Sequence, residues 1–286
     1  MSRAQEIFHP GKLAVITGGA SGIGYAAAEA CADAGMNVVI ADLAGERLDN
    51  AAVSLGTKAA AGARVVTIAT DVGDPASIEN LKQRVKAEFG PVHFLMNNAG
   101  IQPGSSLFGP TENWDQVLAV NLLGIINGSR LFGPDMIAHG EPAMIVNTGS
   151  KQGITTPPGD PAYNVAKAGV KALTEALEHE LRNTPDCKVS AHLLIPGFVF
   201  TGLTAGDRKE KPDAAWTPQQ TVAFMMASLR EGDFYILCPD NDVDRRTDEL
   251  RMQWAIGDIV ENRPPLSRWH PDYKDKFAAY LKHDGG

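Results

Sequence analysis

A tyrosine, a lysine and a serine between positions 150 and 167 have the types and spacing of a proton-transfer site. Tyr163 and Lys167 are four residues apart, and Ser150 lies thirteen residues before the tyrosine. Side chains four apart on a helix share a face, so the ammonium of Lys167 would stand beside the phenol. We therefore expect it to lower the tyrosine pKa from about 10 toward the range of a general base. The Ser150 hydroxyl could stabilise negative charge that develops on a substrate oxygen.

Each of these residues also has an ordinary structural interpretation. A Tyr/Lys pair at this spacing is common on helix faces, and Ser150 follows an apolar run and could be a strand-end hydroxyl. Asn121, within "VNLLG", could serve only to satisfy backbone groups. The catalytic interpretation is favoured because a glycine-rich loop upstream would supply the other half of a redox site.

That loop is "TGGASGIG", which follows an apolar run and opens a helical pattern. Glycines there allow a tight turn, let backbone N–H groups approach a pyrophosphate and let the helix pack on the strand. The alternative is a plain glycine-rich turn. The strand, loop, helix and second strand follow in the order that a dinucleotide site needs, so we predict that these residues bind the cofactor: Gly18, Ser21, Gly22, Ile23 and Gly24.

The second apolar run ends in Asp42, which bears on the choice of cofactor. A carboxylate at this point accepts hydrogen bonds from the adenosine ribose and repels a 2′-phosphate. Neither Leu43 nor the glycine loop supplies an Arg or Lys that would attract that phosphate. These features predict NAD rather than NADP. The alternative is that Asp42 merely caps the next helix.

The elements that must position these residues alternate along the chain. Seven short apolar runs, typical of buried parallel strands, are separated by longer helical patterns. The runs are Lys12–Thr17, Asn37–Asp42, Arg64–Thr70, His93–Asn98, Ala143–Thr148, Val189–Ile195 and Phe234–Cys238. Helix signals lie between them: an Asp74–Pro75 start, Gly35 and Gly90 as ends, and Thr111 as a cap. The order predicts an α/β fold with a doubly wound, Rossmann-type parallel sheet of about seven strands.

Composition narrows the classes of function. The 286 residues are 44% hydrophobic and 21% charged, with a net charge of −8, which is typical of a soluble globular chain. We predict one domain over residues 1–286. The basic residues do not cluster, so a nucleic-acid partner is not predicted. Three widely spaced cysteines and the absence of HExxH predict no metal site. No apolar run approaches the ~20 residues of a membrane span, so we expect a cytoplasmic protein with no membrane partner.

Together the motifs resemble the short-chain dehydrogenase/reductase family. They cover roughly residues 10–205, in the order that the family has them. The motifs are "TGGASGIG", "DV" at Asp71, "NNAG" at Asn97, "VNLLG" with Asn121, Ser150, "YNVAK" and "PGFVFT" at Pro196. The resemblance implies a seven-stranded parallel sheet with helices on both faces, and hydride transfer between NAD(H) and a secondary alcohol or ketone.

The resemblance also implies a role for each site residue. Tyr163 would be the acid/base, Ser150 would orient the substrate, and Lys167 would bind the nicotinamide ribose and tune the phenol. Asn121 would hold a water that carries the proton from Lys167 to solvent. The remaining cofactor contacts would come from Asp71 and Val72 near the adenine, Asn98 and Gly100 along the cofactor, and Val199 and Thr201 at the carboxamide.

The sequence departs from the family pattern in two places. Gly149 precedes the serine and "KQG" follows it, which predicts Lys151 and Gln152 near the substrate entrance. The chain also continues after the seventh run, over about residues 240–286, and ends in "DGG" after a helical pattern. Within this extension, Arg245–Arg263 is predicted to be an amphipathic helix that covers the core, contacts another subunit or walls the pocket. Its apolar residues are Leu250, Trp254, Ile256 and Ile259.

Two other functions remain open at this point. An NAD-using epimerase or dehydratase shares the Tyr and Lys, but usually has a different glycine spacing and a longer substrate domain. A non-catalytic NAD-sensing regulator typically lacks the tyrosine. We also expect a homotetramer or homodimer, paired through the helices of Asn121 and Tyr163. Phe198, Leu203 and Trp216 suggest an apolar substrate, and the segment after Thr201 is a lid candidate.

Overall fold

Seven parallel strands form one sheet. The computed structural model describes residues 3–60 and 62–283. The strands are β1 (Leu13–Thr17), β2 (Asn37–Asp42), β3 (Val65–Ala69), β4 (Phe94–Asn97), β5 (Ala143–Thr148), β6 (Val189–Ile195) and β7 (Tyr235–Leu237). Their order is β3-β2-β1-β4-β5-β6-β7, and every pairing is parallel. All seven predicted runs are thus confirmed as strands, some of them shorter by a residue at an end.

Helices connect the strands. They are α1 (Arg3–Ile7), α2 (Gly22–Asp33), α3 (Glu46–Lys58), α4 (Pro75–Glu88), α5 (Glu112–Leu118), α6 (Gly124–Ala138), α7 (Gln152–Thr155), α8 (Pro161–Asn183), α9 (Pro218–Glu231), α10 (Arg245–Val260) and α11 (Lys274–His283). Both faces of the sheet are covered, which explains why its strands are apolar on both sides. One buried cluster lies under α2 and α9, and another lies under α4, α6 and α8.

The strand order reverses between β1 and β4. Because β1 is followed by β2 on one side and β4 lies on its other side, the segments after these two strands diverge and leave a crevice. In open α/β sheets, ligands bind in such a crevice beyond the carboxyl ends of the strands. The glycine loop follows β1 and "NNAG" begins in β4, so both motifs lie at this position.

Three of the four predicted helix boundaries have the expected geometry. Asp74 caps α4 by accepting a hydrogen bond from the backbone N–H of Ala76, with Pro75 in the first turn. Gly35 and Gly90 follow their helices with φ of +80° and +85°, a backbone region that favours glycine. The fourth is wrong in detail: Thr111 precedes α5, but it has helical φ and ψ and its side chain makes no cap.

The helix around Asn121 contains a feature that the sequence did not reveal. A π-helical turn, Ala119–Leu123, joins α5 to α6 in one helical run. Such turns are rare and frequently lie at functional sites. Within the run Glu112–Ala138 an 18-residue window has a mean hydropathy of 1.2, so by length and composition alone this run could cross a membrane, which the sequence-based expectation did not anticipate. Its contacts with α4, α8 and two strands of the sheet are those of a helix within a packed domain.

The extension folds around a tryptophan of α10. The Trp254 ring packs on Phe277 and Tyr280 of α11, and Arg263 lies 4.2 Å from the ring centroid. Leu250 and Trp254 are buried, as predicted. Ile256 and Ile259 are 57% and 77% exposed, so their placement on the apolar side was wrong. The final "DGG" lies outside the described residues.

Candidate active site

The glycine loop packs closely enough to exclude side chains. A Cβ on Gly18 would lie 2.6 Å from the Cα of Ala99, and one on Gly24 would lie 2.2 Å from the carbonyl oxygen of Gly18. Ser21 and Gly22 stand at the start of α2, and the Ser21 hydroxyl makes no cap bond within the helix. Ile23, in the first turn, is half-buried against the core. The loop and the helix N-terminus thus form a backbone cradle of the kind that binds phosphates.

Asp42 ties the second strand to this loop. One carboxylate oxygen accepts a hydrogen bond from the backbone N–H of Ala20 at 2.9 Å, and the other accepts from Leu43 at 2.8 Å. A carboxylate offers about four acceptor positions, so two stay available to ribose hydroxyls. The backbone bonds therefore orient the carboxylate without consuming its capacity.

The segment after β4 is held against the loop by polar contacts. The Asn98 amide donates to the carbonyls of Thr17 and Gly18, each at 3.3 Å, and its backbone N–H donates to the Thr17 hydroxyl. Gly100 follows, and a Cβ there would lie 3.4 Å from the Asn121 side chain. These bonds hold Asn98 against the glycine loop, and the chain continues from there to Gly100.

The other predicted cofactor contacts lie on either side of the crevice. Asp71 is exposed and accepts a hydrogen bond from Gly73 N–H at 2.8 Å, while Val72 is buried. Val199 is buried and pairs with Trp216 in an isolated bridge. Thr201 lies against the glycine loop, because a Cβ on Gly22 would be 3.2 Å from its methyl group. The fold thus brings "PGFVFT" and "TGGASGIG" together.

The serine, tyrosine and lysine converge between β5 and α8. The Ser150 hydroxyl lies near enough to the Tyr163 phenol to favour its ionised form. Lys167 donates to the carbonyl of Thr148 at 2.7 Å, and its Nζ lies 5.7 Å from the centroid of the Tyr163 ring. Tyr163 and Lys167 are only 7% and 3% exposed, so both are largely shielded from solvent.

The pKa of Tyr163 differs from the sequence-based expectation. Burial raises it to about 12, and the nearby Ser150 hydroxyl only partly opposes that rise. Burial also lowers the pKa of Lys167 to about 8. The lysine ammonium is directed at the Thr148 carbonyl rather than at the phenol oxygen, so desolvation of the phenol outweighs its charge.

Asn121 is fully buried in the π-helical turn, and its side chain has a structural task. Its oxygen accepts from the backbone N–H of Ile101, and its nitrogen donates to the carbonyl of Ile101, both at 2.8 Å. This pair of bonds fixes the segment after Gly100. The side chain is therefore engaged with backbone, and a water would have to be held by other atoms of this residue.

Two features of the site were missed from sequence. Thr148 accepts from Lys167 through its carbonyl and donates through its hydroxyl to Asn98 at 3.2 Å, so it links the catalytic and cofactor sides. Asp160, just before α8, accepts from Ser105 and Gln102 and adds a negative charge near Tyr163. Thr148 is the strand-end polar residue nearest to Ser150, and that position was an available signal.

The two residues after Ser150 are placed differently from one another. The backbone N–H of Gln152 donates to the Ser150 hydroxyl at 3.1 Å and so helps to fix it. The side chain of Lys151, expected at the substrate entrance, is instead paired with Asp240 and Asp248. Trp216 packs on Phe224 within a core cluster, which weakens its assignment to the substrate wall.

Known proteins share this architecture. The family model for short chain dehydrogenases matches residues 12–212. A CLA biosynthesis dehydrogenase/reductase from Lactiplantibacillus plantarum is 33% identical over 274 residues, which are 95% of this chain and 92% of that protein. A 1-deoxy-11-beta-hydroxypentalenate dehydrogenase from Streptomyces exfoliatus is 30% identical over 265 residues, 90% of this chain and 94% of that one.

A solved structure agrees with these relatives. A short chain dehydrogenase/reductase from Burkholderia phymatum in complex with NAD has a TM-score of 0.79 and 32% identity, over 90% of this chain and 97% of that one. A doubly wound sheet with a glycine cradle at its switch point is an architecture that binds dinucleotides. The chain belongs to the short-chain dehydrogenase family, which confirms the resemblance and the predicted fold class.

Proposed function

We propose that the protein interconverts a secondary alcohol and a ketone with NAD(H), using Tyr163 as the acid/base. The proposal rests on the convergence of Tyr163, Ser150 and Lys167 in a largely buried site, with the serine hydroxyl near the phenol. Alone, each residue has a structural explanation. Their meeting beside the dinucleotide cradle is what favours catalysis.

The protein side of the reaction can be assigned by atom. When bound, oxidised nicotinamide accepts a hydride and brings a positive charge into the site. The Tyr163 oxygen takes the hydroxyl proton of the alcohol, and the Ser150 hydroxyl donates to the oxygen that loses it. Lys167 holds the ribose, and its positive charge favours the phenolate that burial alone disfavours.

Proton release to solvent requires a path from this buried pair. A water between Lys167 and the π-helical turn would provide it. Because the Asn121 side chain is committed to Ile101, the backbone carbonyl of Asn121 is the group that would hold such a water. This modifies the sequence-based prediction, in which Asn121 was assigned the role without a specified atom.

The cradle suits NAD in particular. The glycine loop and Ser21 would receive the pyrophosphate, and Asp42 would accept from the adenosine ribose. Asp42 leaves acceptor capacity facing the crevice, and its negative charge disfavours a 2′-phosphate. The adenine would lie by Asp71 and Val72, and the nicotinamide end by Asn98, Gly100, Val199 and Thr201.

Assembly and location are also part of the proposal. Leu123 in the π-helical turn and Val165 on α8 are about half exposed, and the large apolar side chain of Phe108 is fully exposed. Exposed apolar side chains on and before these helices support a homodimer or homotetramer paired there. The cysteines Cys31, Cys187 and Cys238 are free thiols, which fits a reducing cytoplasm.

An activity screen tests the function. Purified protein is incubated with NAD or NADP and a panel of secondary alcohols, sugars, steroids and hydroxy acids, and reduced cofactor is followed by absorbance. Hydroxy acids come first, because the name of one relative describes a hydroxylated carboxylate. We expect NADH with at least one alcohol from the wild type and at least ~10²-fold less from Tyr163→Phe.

The same screen separates the other functions. Tightly bound NAD that is not released as NADH, with an epimerised or dehydrated product, would indicate an epimerase or dehydratase. Specific capture of a partner protein by the NAD-bound form, with no turnover of any alcohol, would indicate a regulator. Equal activity of Tyr163→Phe and wild type would contradict the assigned acid/base.

A further inference from the structure

A buried cluster of three charges lies directly beside the catalytic serine. The Nζ of Lys151 is 2.5 Å from a carboxylate oxygen of Asp248 and 3.4 Å from one of Asp240. The side chains of Lys151, Asp240 and Asp248 are 17%, 8% and 6% exposed, so the two ion pairs are largely shielded from solvent. We call Lys151, Asp240 and Asp248 the Lys151 cluster. Its acids come from the segment after β7, beyond the residues that match the family model.

Asp240 connects this cluster to the segment that precedes Val199. The oxygen that faces Lys151 also accepts a hydrogen bond from the backbone N–H of Phe198 at 3.2 Å. Its other oxygen accepts from Val243 at 2.8 Å and from Asp242 at 3.2 Å, which fixes the turn before α10. One carboxylate therefore holds both the lysine next to Ser150 and the residue next to Val199.

Gly197 shows how closely the cluster packs on that segment. A Cβ there would lie 2.6 Å from the Asp240 carboxylate and 2.9 Å from the Lys151 Nζ. The charged groups thus rest on the backbone between Pro196 and Phe198. A displacement of either charged group would therefore also move this backbone.

On the serine side, backbone bonds complete the connection. Lys151 N–H donates to the carbonyl of Pro196 at 3.4 Å, and Gly149 N–H donates to Leu194 at 2.7 Å. Gln152 N–H donates to the Ser150 hydroxyl. Asp248 adds a contact from α10, which also packs on α7, the short helix that follows Ser150.

We propose that the Lys151 cluster is a positioning device through which the C-terminal extension sets the place of Ser150 and of the Phe198–Val199 backbone. Lys151 is a positioning residue. Its charge is balanced by Asp240 and Asp248, and it affects the reaction only through the placement of its neighbours. This inference rests on the proposed function for its effect on turnover. Its structural part, the coupling of α10 to the two segments, is independent of the reaction.

The burial of the charges explains why the device is effective. A surface ion pair contributes little and tolerates loss of geometry, whereas a buried pair leaves an uncompensated charge when one partner is removed. Misplacement of a catalytic group by about 1 Å can cost ~10²-fold in rate. We therefore expect loss of Asp248 to lower kcat about 10- to 100-fold at saturating NAD and alcohol.

Asp258 provides a matched control on the same helix. Its carboxylate is 10% exposed and pairs with Arg263 at 3.0 Å, and it also accepts from the Ser267 hydroxyl at 2.6 Å. Both partners belong to the extension itself. Asp248→Asn and Asp258→Asn thus each remove a largely buried charge from α10. Only Asp248 contacts Lys151, the residue next to Ser150.

The experiment compares these two variants with the wild type. We measure kcat and KM for the alcohol, Kd for NAD, thermal stability, and hydrogen exchange of residues 149–156 and 196–200. Both variants should melt earlier. Only Asp248→Asn should lose kcat by the stated factor and exchange faster in the two segments. Equal effects of both variants, or normal kcat and exchange in Asp248→Asn, would overturn the proposal.

A double-mutant cycle protects the test against simple loss of stability. Lys151→Met and Asp248→Leu are made singly and together, and log kcat is measured well below each melting temperature. Coupling of log kcat supports positioning; additive effects on kcat with coupling only in stability would contradict it. If the wild type turns over no alcohol, the proposed function fails, and the hydrogen-exchange comparison still decides this inference.

Discussion

Two lysines that are largely shielded from solvent, Lys151 and Lys167, belong to the proposed site around Ser150, and their charges have different partners. Lys151 is paired with two carboxylates. Lys167, among the residues that the structure describes, pairs with no carboxylate and donates to the Thr148 carbonyl. Burial lowers the pKa of Lys167 to about 8. The charge of Lys151 is balanced by its two carboxylate partners. The charge of Lys167 is not balanced by a carboxylate and can act on a bound ligand.

This difference distinguishes a residue that holds a structure from one that acts on a ligand. A paired charge produces only a weak electric field at a distance. An unpaired buried charge lowers the stability of the fold and interacts strongly with its surroundings. Perturbed ionisable groups cluster at functional sites for that reason. The contrast yields predictions that separate the two lysines by turnover, by stability and by pH.

Lys167→Met should give the largest effect. The variant loses the ribose contact and the positive charge that favours the phenolate, so kcat/KM should fall about 10²–10⁴-fold and NAD should bind more weakly. Steady-state kinetics and a fluorescence titration with NAD measure both. Lys171→Met removes an exposed lysine one turn further along α8, paired with Glu175, and should leave both unchanged. A Lys167→Met enzyme within threefold of wild type would contradict the role of this charge.

Ser150→Ala tests the serine of the proposed site. Removal of a donor to a developing oxyanion typically costs about 10²–10³-fold in kcat. NAD affinity should not change, because the serine contacts substrate rather than cofactor. Ser190→Ala is the control, since Ser190 is a buried serine of β6 that bonds to His192 and lies outside the proposed site. Loss of NAD binding in Ser150→Ala would argue for a structural role.

The two lysine-to-methionine substitutions should change the free energy of unfolding in opposite directions. Lys151→Met removes the ion-pair partner of the buried Asp248 carboxylate, leaves Asp240 with backbone partners only, and should lower the free energy of unfolding by about 3 kcal/mol near pH 7. Lys167→Met removes a poorly solvated charge and should raise it by on the order of 1–3 kcal/mol, less the lost bond to Thr148. Chemical denaturation measures both changes. Destabilisation by Lys167→Met at neutral pH would refute the contrast.

The pH dependence of that stability follows from the sign of the shift. Burial lowers the folded pKa of Lys167 to about 8, below its ordinary value of 10.5, so the unfolded chain binds more protons between these values. Stability of the wild type should rise with pH across this window. The increase in the free energy of unfolding caused by Lys167→Met should therefore be largest below about pH 8 and should decrease above it.

Asp42 extends the comparison to a carboxylate and predicts a smaller effect. Its two backbone partners leave its charge available to the cofactor, unlike Asp248, whose charge Lys151 consumes. Asp42→Ala with Leu43→Arg should reduce the preference of kcat/KM for NAD over NADP by about tenfold or more. Asp49→Ala, an exposed acid of α3, is the matched control for net charge. Comparable use of both cofactors by the wild type would contradict the prediction of NAD.

Local patterns were sufficient to predict most of the fold. Buried parallel strands are continuous apolar runs, so β1 to β7 were found within a residue or two. The Asp74 cap and the glycines after α2 and α4 were readable because their chemistry is local. The π-helical turn at Asn121 has no such local signal, since its residues AVNLL also occur within ordinary α-helices.

The site was predictable in its residues but less so in its electrostatics. The sequence brought Tyr163 and Lys167 to one helix face, which the structure bears out. It did not show how deeply both would be buried, and burial decides the pKa of the phenol. The partners of Lys151 lie about 90 to 100 positions away on the extension, and no periodicity or motif links them.

The pH–rate profile of alcohol oxidation tests the central claim, that Tyr163 is the base and Lys167 promotes its ionisation. It is measured at saturating NAD for wild type, Lys167→Met and Tyr163→Phe, on one alcohol from the screen. We expect the wild-type kcat/KM to rise with pH with a midpoint below ~10, the ordinary pKa of tyrosine. The midpoint should move up in Lys167→Met, and the rise should vanish in Tyr163→Phe. An unmoved midpoint in Lys167→Met, or a near-normal rate in Tyr163→Phe, would contradict the account.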